Sequence, residues 1–174
     1  MNVRSDNVWD AVNDFVAARQ QAAMQAVMAR LTGKSNELLS YEEVARKLKL
    51  SQGAETGRHD IPLDAIVGSV GRYSDFSRSF LPLQDSDRTR WVGVKTAMDS
   101  LTGVPPIDVY KVGEVYFVRD GNHRVSVAHA LKWSFIDAEV VRVRTDAALD
   151  PRMSLKDIAA AARRVPAVAQ QPAA

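Results

Sequence analysis

The sequence predicts an α+β fold, a small mixed sheet with packed helices, preceded by a helical extension. Two observations predict it. Through the first third, apolar residues recur at spacings of three and four, the mark of a helix with one buried stripe. From Asp60 onward, short β-like runs alternate with helical stretches, and the pair of runs around Gly113-Glu114 reads as a hairpin.

Ser5 or Asp6 caps the first helix, whose stripe comprises Val8, Val12, Phe15, Val16, Met24, Val27, Met28 and Leu31. The run TGKSN at 32–36 breaks that pattern. Ser40 opens a second helix, with Glu43 three residues on as a capping box and Val44, Ala45 and Leu48 as its apolar face. The polar stretch 51–59 reads as a connector. Ile61-Pro62-Leu63 reads as a short strand or edge segment, because proline cannot donate to a central ladder. A helical turn at 64–66 precedes Val67-Gly68-Ser69-Val70-Gly71-Arg72, and residues 88–98 form a helix that Gly103-Val104-Pro105-Pro106 ends. Ile107 to Val112 alternates with period two and pairs with 115–118. Asp120-Gly121-Asn122 turns the chain into a helix at 123–131, and 135–143 is a further strand. Ser154-Leu155-Lys156-Asp157 opens a short Ala-rich helix, and from Pro166 a low-complexity tail reads as disordered. The expected division is a helical extension at 1–59, a core at 60–145, and a short helix with its tail at 146–174.

At 174 residues the chain suits one domain with an appendage, and its 46% apolar and 25% charged content is that of a soluble globular protein. The absence of cysteine excludes a disulfide scaffold, cysteine-ligated zinc, an iron–sulfur cluster and a thiol nucleophile. Residues 1–60 carry 8 basic and 8 acidic side chains and the remainder 15 and 13, so neither part has the basic excess of a protein that lives on nucleic-acid phosphates. No apolar run approaches the roughly 20 residues of a membrane span. The start MNVRSDNVWD lacks the apolar stretch of a secretory signal, and a cytoplasmic protein is expected.

The segment most informative about chemistry is 115–131, VYFVRDGNHRVSVAHAL. A strand running through a tight turn into a helix exposes backbone N–H groups at a helix N-terminus, where the macrodipole favours negative charge. Gly121 permits a positive φ or close approach of a ligand, and Asn122 suits the N-cap. His123 and Arg124 place two phosphate partners in the first turn, while Asp120 could hold Mg²⁺ or orient a hydroxyl. Asp-Gly-Asn is equally a way to end a strand and cap a helix with no ligand, with His123 at the surface and Arg124 paired to a carboxylate. The residues alone leave both open.

The succession IPLDAIVGSVGRY, PPIDVYKVGEVYFVRDGNHRVSVAHAL and FIDAEVVRV resembles the ParB/sulfiredoxin superfamily over about residues 60–144. Within it, the chain is similar to small bacterial proteins with a ParB N-terminal-like domain, even in the helical leader. Partition proteins carry Gly-Glu-Arg-Arg in the place of Gly121-Asn122-His123-Arg124, sulfiredoxins Gly-Cys-His-Arg, and free serine kinases an Asp-Gly-His-Thr-Arg type. The resemblance implies a small α/β core whose strand–turn–helix segment binds the phosphates of a nucleoside triphosphate, ATP or CTP, with Mg²⁺. It implies Gly121, Asn122, His123 and Arg124 as the phosphate loop. Arg72, where relatives carry a basic residue after the first strand, is a second phosphate candidate, with a surface arginine in a Gly-rich loop as the plain alternative.

The departures narrow this. Asn122 stands where a sulfiredoxin needs its nucleophilic cysteine, and an amide cannot replace a thiolate, so the redox branch is excluded. No Glu-Asn-x-x-Arg segment lies between Tyr73 and Pro106, and only about thirty residues follow the last strand, so a complete DNA-partition clamp is not expected.

Other signals read more plainly. The segment SYEEVARKLKLS at 40–51 resembles the first helix of a helix-turn-helix, but QGAETGR follows instead of a recognition-helix pattern, so a packing helix is expected. Trp9, Trp91 and Trp133 read as core or interface anchors rather than base-stacking platforms. His123 and His129, six residues apart, fall on different helix faces and make no two-histidine metal site. Asp75, Asp85 and Asp87 in polar loops are outlying candidates for a metal ligand or general base. The expected function is therefore nucleotide phosphate binding with Mg²⁺-assisted triphosphate hydrolysis or phosphoryl transfer, Asp120 serving as metal ligand or base and His123 beside it. The alternatives are a non-catalytic DNA-associated regulatory module and a fold that only mediates protein contacts. The amphipathic N-terminal helix is expected to pack on the core or to pair two subunits.

Overall fold

A computed structural model describes residues 3–100 and 103–164; the tail expected to be disordered lies outside them. In chain order the elements are helix α1 (Val3–Thr32), strand β1 (Leu39–Ser40), helix α2 (Tyr41–Leu48), strand β2 (Ala54–Pro62), strand β3 (Ile66–Ser69), helix α3 (Arg88–Met98), strands β4 (Ile107–Val112) and β5 (Val115–Asp120), helix α4 (Asn122–Ala130), strand β6 (Phe135–Val143) and helix α5 (Leu155–Arg164). Short 3₁₀ turns at Leu63–Ala65 and Asp85–Asp87 lead into β3 and α3. The fold is mixed α+β, with one six-stranded sheet in the order β1-β3-β5-β4-β6-β2. Strands β1, β3 and β5 run parallel, β4 is antiparallel to β5 and parallel to β6, and β2 closes the far edge antiparallel to β6. The hairpin read around Gly113-Glu114 is the β4–β5 pair, with Val112 opposite Val115.

Strand alternation sends side chains to two cores. Tyr116 and Val118 join Ile107, Val109 and Ile136 on the face where α4 buries Val125 and Ala128. Val115 and Phe117 join Val112 and Val143 on the opposite face, covered by Val44 of α2 and Ile158 of α5. Ser40 caps α2 as read, its hydroxyl accepting the Glu43 N–H at 3.3 Å while donating to Glu42 at 2.9 Å. Ser154 and Asp157 exchange the two bonds of a capping box ahead of α5.

Three expectations change. The polar stretch 51–59 is largely strand, pairing from Ala54 opposite Arg142 to Pro62 opposite Phe135 with a bulge between Glu55 and Gly57. Its sequence lacks apolar alternation because an edge strand open on both faces buries only Ile61. Lys49 ends α2 in the left-handed region, and β2 follows, so no recognition helix stands behind α2. Of the eight stripe residues expected to be buried on α1, only Phe15 is; the helix instead seats Ala11, Phe15, Ala18 and Ala22 inward, with Phe15 against Trp91 and the two later alanines against Leu81. Small side chains let the two backbones approach closely, and the larger aliphatic residues remain on the outer side. Among the described residues no helix is long and apolar enough to cross a membrane.

Candidate functional site

Parallel neighbours β3 and β5 bring their carboxyl ends side by side. From β3 the chain continues through Val70, whose N–H donates to Val118 at 2.8 Å, into the loop that carries Arg72. From β5 it passes Gly121 and enters α4. Ends of adjacent parallel strands in an α/β sheet are a natural place for a ligand, because loops and helix N-termini converge there.

Gly121 adopts φ 107°, ψ 21° and is itself the N-cap, with no side-chain cap bond. Asn122, expected as the cap, is instead the first helical residue, and α4 starts one position earlier than the 123–131 reading. Its side chain turns inward. Asn122 and His123 are each 6% exposed, and Asn122 Oδ1 and both ring nitrogens of His123 have no hydrogen-bond partner among the described residues. Asp87, at the entry to α3, is their neighbour: its Oδ1 lies 3.7 Å from His123 Nε2, and its Oδ2 is buried without a partner. Phe76 packs edge-on against the His123 ring at 5.2 Å.

Charge surrounds this cluster. Burial, then the guanidinium groups of Arg90 and Arg72, bring the His123 imidazole from 6.5 down to about 4, with Asp75 opposing. Burial and the Asp75 carboxylate push Asp87 above the usual carboxylate range, against Arg72, Arg90 and Arg19. Arg72 pairs with Asp75 at 3.1 Å and remains half-exposed. The amides of Asn122, His123 and Arg124 belong to the first turn, which a helix leaves without internal acceptors; the Val125 N–H is the first to close on Gly121, at 3.0 Å.

The structure thus gathers Gly121, Asn122, His123 and Arg72 in one region. Arg124 and Asp120 turn to each other. The Arg124 guanidinium donates to the carbonyls of Pro105 at 2.8 Å and Pro106 at 2.5 Å and pairs with the Asp120 carboxylate, clamping the approach to β4 onto α4. Of the three outlying acids, Asp87 reaches His123, Asp75 binds Arg72, and Asp85 pairs with Arg19. Arg90 and Phe76 were not singled out in the sequence, since neither sits in a motif; the basic run Arg88-Thr89-Arg90 beside Asp87 is the one local signal. Among the described residues, no three His, Asp or Glu side chains converge as a metal site. A groove of about 550 Å³ between α5 and the residues after β6, lined by Asp146, Met153, Asp157 and Arg164 among others, includes none of these site residues.

The buried imidazole gives a pH expectation. His123 stays neutral in the fold while the unfolded chain takes up a proton, so stability falls as pH drops from about 6.5 towards about 4. The interval between those values corresponds to about 3 kcal/mol. His129, also depressed by burial, adds in the same direction; Asp87, held high, acts oppositely because the fold takes up its proton first. Urea unfolding from pH 7 to pH 4.5 is expected to show this loss, and His123→Gln is expected to flatten the slope. An unchanged slope in that variant would assign the acid sensitivity elsewhere.

No family model matches the chain, and neither a curated protein nor a solved structure matches it.

Proposed function

We propose that the protein binds a nucleoside triphosphate, ATP or CTP, with its phosphates at the N-terminus of α4, and that the chemistry suited to the site is phosphoryl transfer to water or a hydroxyl. One observation carries the reading: nine-tenths-buried Asn122 and His123 hold unpartnered polar atoms at a helix N-terminus facing Arg72 and Arg90. Buried polar atoms without partners are costly, and a ligand that supplied those partners would recover that cost. The first-turn amides and the helix dipole favour an anion, and the two arginines supply the charge that a neutral His123 does not. A neutral imidazole still donates one N–H to a phosphate oxygen.

Magnesium fits this donor set through oxygen, which it prefers. The unpartnered Asp87 Oδ2 is the better donor, because Asp120 is engaged by Arg124. When bound with a nucleotide, the ion supplies charge neutralisation on the phosphates. Asp87, with its raised proton affinity, is placed to accept a proton from an attacking water or hydroxyl. Arg124 holds the loop before β4 in position.

A thermal-shift measurement with ATP or CTP, with and without Mg²⁺, tests the reading. At a ligand concentration near 100 times Kd the stabilisation is about 2.7 kcal/mol, which raises Tm by roughly 5–10 °C for a chain of this size. The double variant Arg72→Gln/Arg90→Gln is expected to lose that rise while its unliganded Tm stays close to wild type. No rise with either nucleotide in the wild-type protein would overturn the proposal. Arg124→Ala is a poor probe, because it breaks the Pro105 and Pro106 bonds and lowers stability directly.

A further inference from the structure

We infer that the outer face of α1 is the contact between two copies of this chain, arranged antiparallel about a two-fold axis at Gln20. Helix α1 has two apolar sides. One, built on Ala11, Phe15, Ala18 and Ala22, is buried in the fold. The other leaves Trp9 68%, Met24 70% and Leu31 76% exposed, with Val8, Val16, Val27 and Met28 each around half-exposed. Together these seven residues open roughly 800 Å² to solvent, the share one partner contributes to a standard-sized interface and more than the few hundred Å² of the largest patch on a typical monomer.

The pattern on this face is self-complementary. Trp9 and Leu31 lie eleven residues either side of Gln20, Val12 and Met28 eight, and Val16 and Met24 four. A two-fold axis at Gln20 sets each of these level with an apolar residue of the second copy, as an isologous contact requires. It also brings Gln20 level with its own copy, where two side-chain amides can bond to each other. A polar pair within an apolar helix contact fixes register. Positions 9, 13, 16, 20, 24, 27 and 31 along the face are all uncharged. A helix that lies on a membrane would carry lysine and arginine beside its apolar face, whereas Asp10 and Asp14 stand on the N-terminal half of this one. A second copy is therefore the occupant that area, symmetry and charge favour.

Light scattering on the intact chain at about 100 µM is expected to return twice the 19.1 kDa of one chain. Met24→Glu and Val16→Glu, at positions exposed in the single chain, are expected to halve that mass without loss of helical signal. Because the protein has no cysteine, single-cysteine variants report register directly. Gln20→Cys is expected to cross-link into a covalent dimer on mild oxidation. Val27→Cys is expected not to, since an antiparallel pair places its two copies about 20 Å apart along the helix. A single-chain mass for the wild type, or efficient cross-linking through Val27→Cys, would overturn the inference.

Discussion

Gly121→Ala is expected to destabilise the protein by about 3–5 kcal/mol, the sum of a left-handed backbone penalty and an overpacked core. The residue sits at φ 107°, and a Cβ there would lie 2.5 Å from Cγ2 of Ile107 and 3.0 Å from Arg124 Nε. Ile107 is fully buried in β4 and paired to β6, so it has no room to yield. Arg124 is tied to the two proline carbonyls. The turn into the site is thus closed by the protein's own packing as well as by its backbone angle. Gly57→Ala separates the two contributions: Gly57 also has a positive φ, 83°, but nothing lies within 4 Å of its Cβ position. Its expected cost is about 1–2 kcal/mol, the conformational part alone. Urea unfolding of both variants checks this, and equal costs would show that Ile107 gives way.

Trp91→Ala is expected to cost about 4 kcal/mol, within the range for removing a large buried aromatic. Trp91 has no exposed surface, meets Phe15 of α1 edge-on at 5.7 Å, and donates its indole N–H to Ser126 of α4 at 2.9 Å. Truncation leaves a cavity at the junction of three helices and strands the Ser126 hydroxyl in the interior, which adds to the loss. Trp91→Phe keeps most of the packing and is expected to cost about 1–2 kcal/mol, chiefly the hydrogen bond. Chemical denaturation measures both. Comparable losses from the two variants would mean that the hydrogen bond, not the ring volume, holds α1 and α4 to α3.

Much of the scaffold was legible because its signals are local. Helix α3, the β4–β5 hairpin, β6 and the Ser40 and Ser154 caps each rest on residues within one turn or one strand of each other, where periodicity and capping chemistry act directly. Trp91 as a core anchor was legible for the same reason. Strand β2 was not, because an edge strand with both faces open needs no apolar alternation; β6, some eighty residues on, makes it a strand. The candidate site was half legible. The turn at Gly121 and the first-turn residues Asn122 and His123 were visible as a motif, and Arg72 as a neighbour by resemblance. Asp87 was one acid among three, and which acid meets His123 depends on how the loop before α3 folds back over α4.

The chain by itself determined where helices and strands form, which turn needs glycine, and that no thiol chemistry is available. Tertiary structure decided which of α1's two apolar sides is buried, that Gly121 rather than Asn122 caps α4, and that Arg124 grips Pro105, Pro106 and Asp120 while Arg72 and Arg90 stand near His123. The physical reason is range. Backbone propensity and capping act over a few residues, whereas burial, ion pairing and the electrostatics of a buried imidazole are set by groups that are distant in sequence and adjacent only after the sheet has assembled.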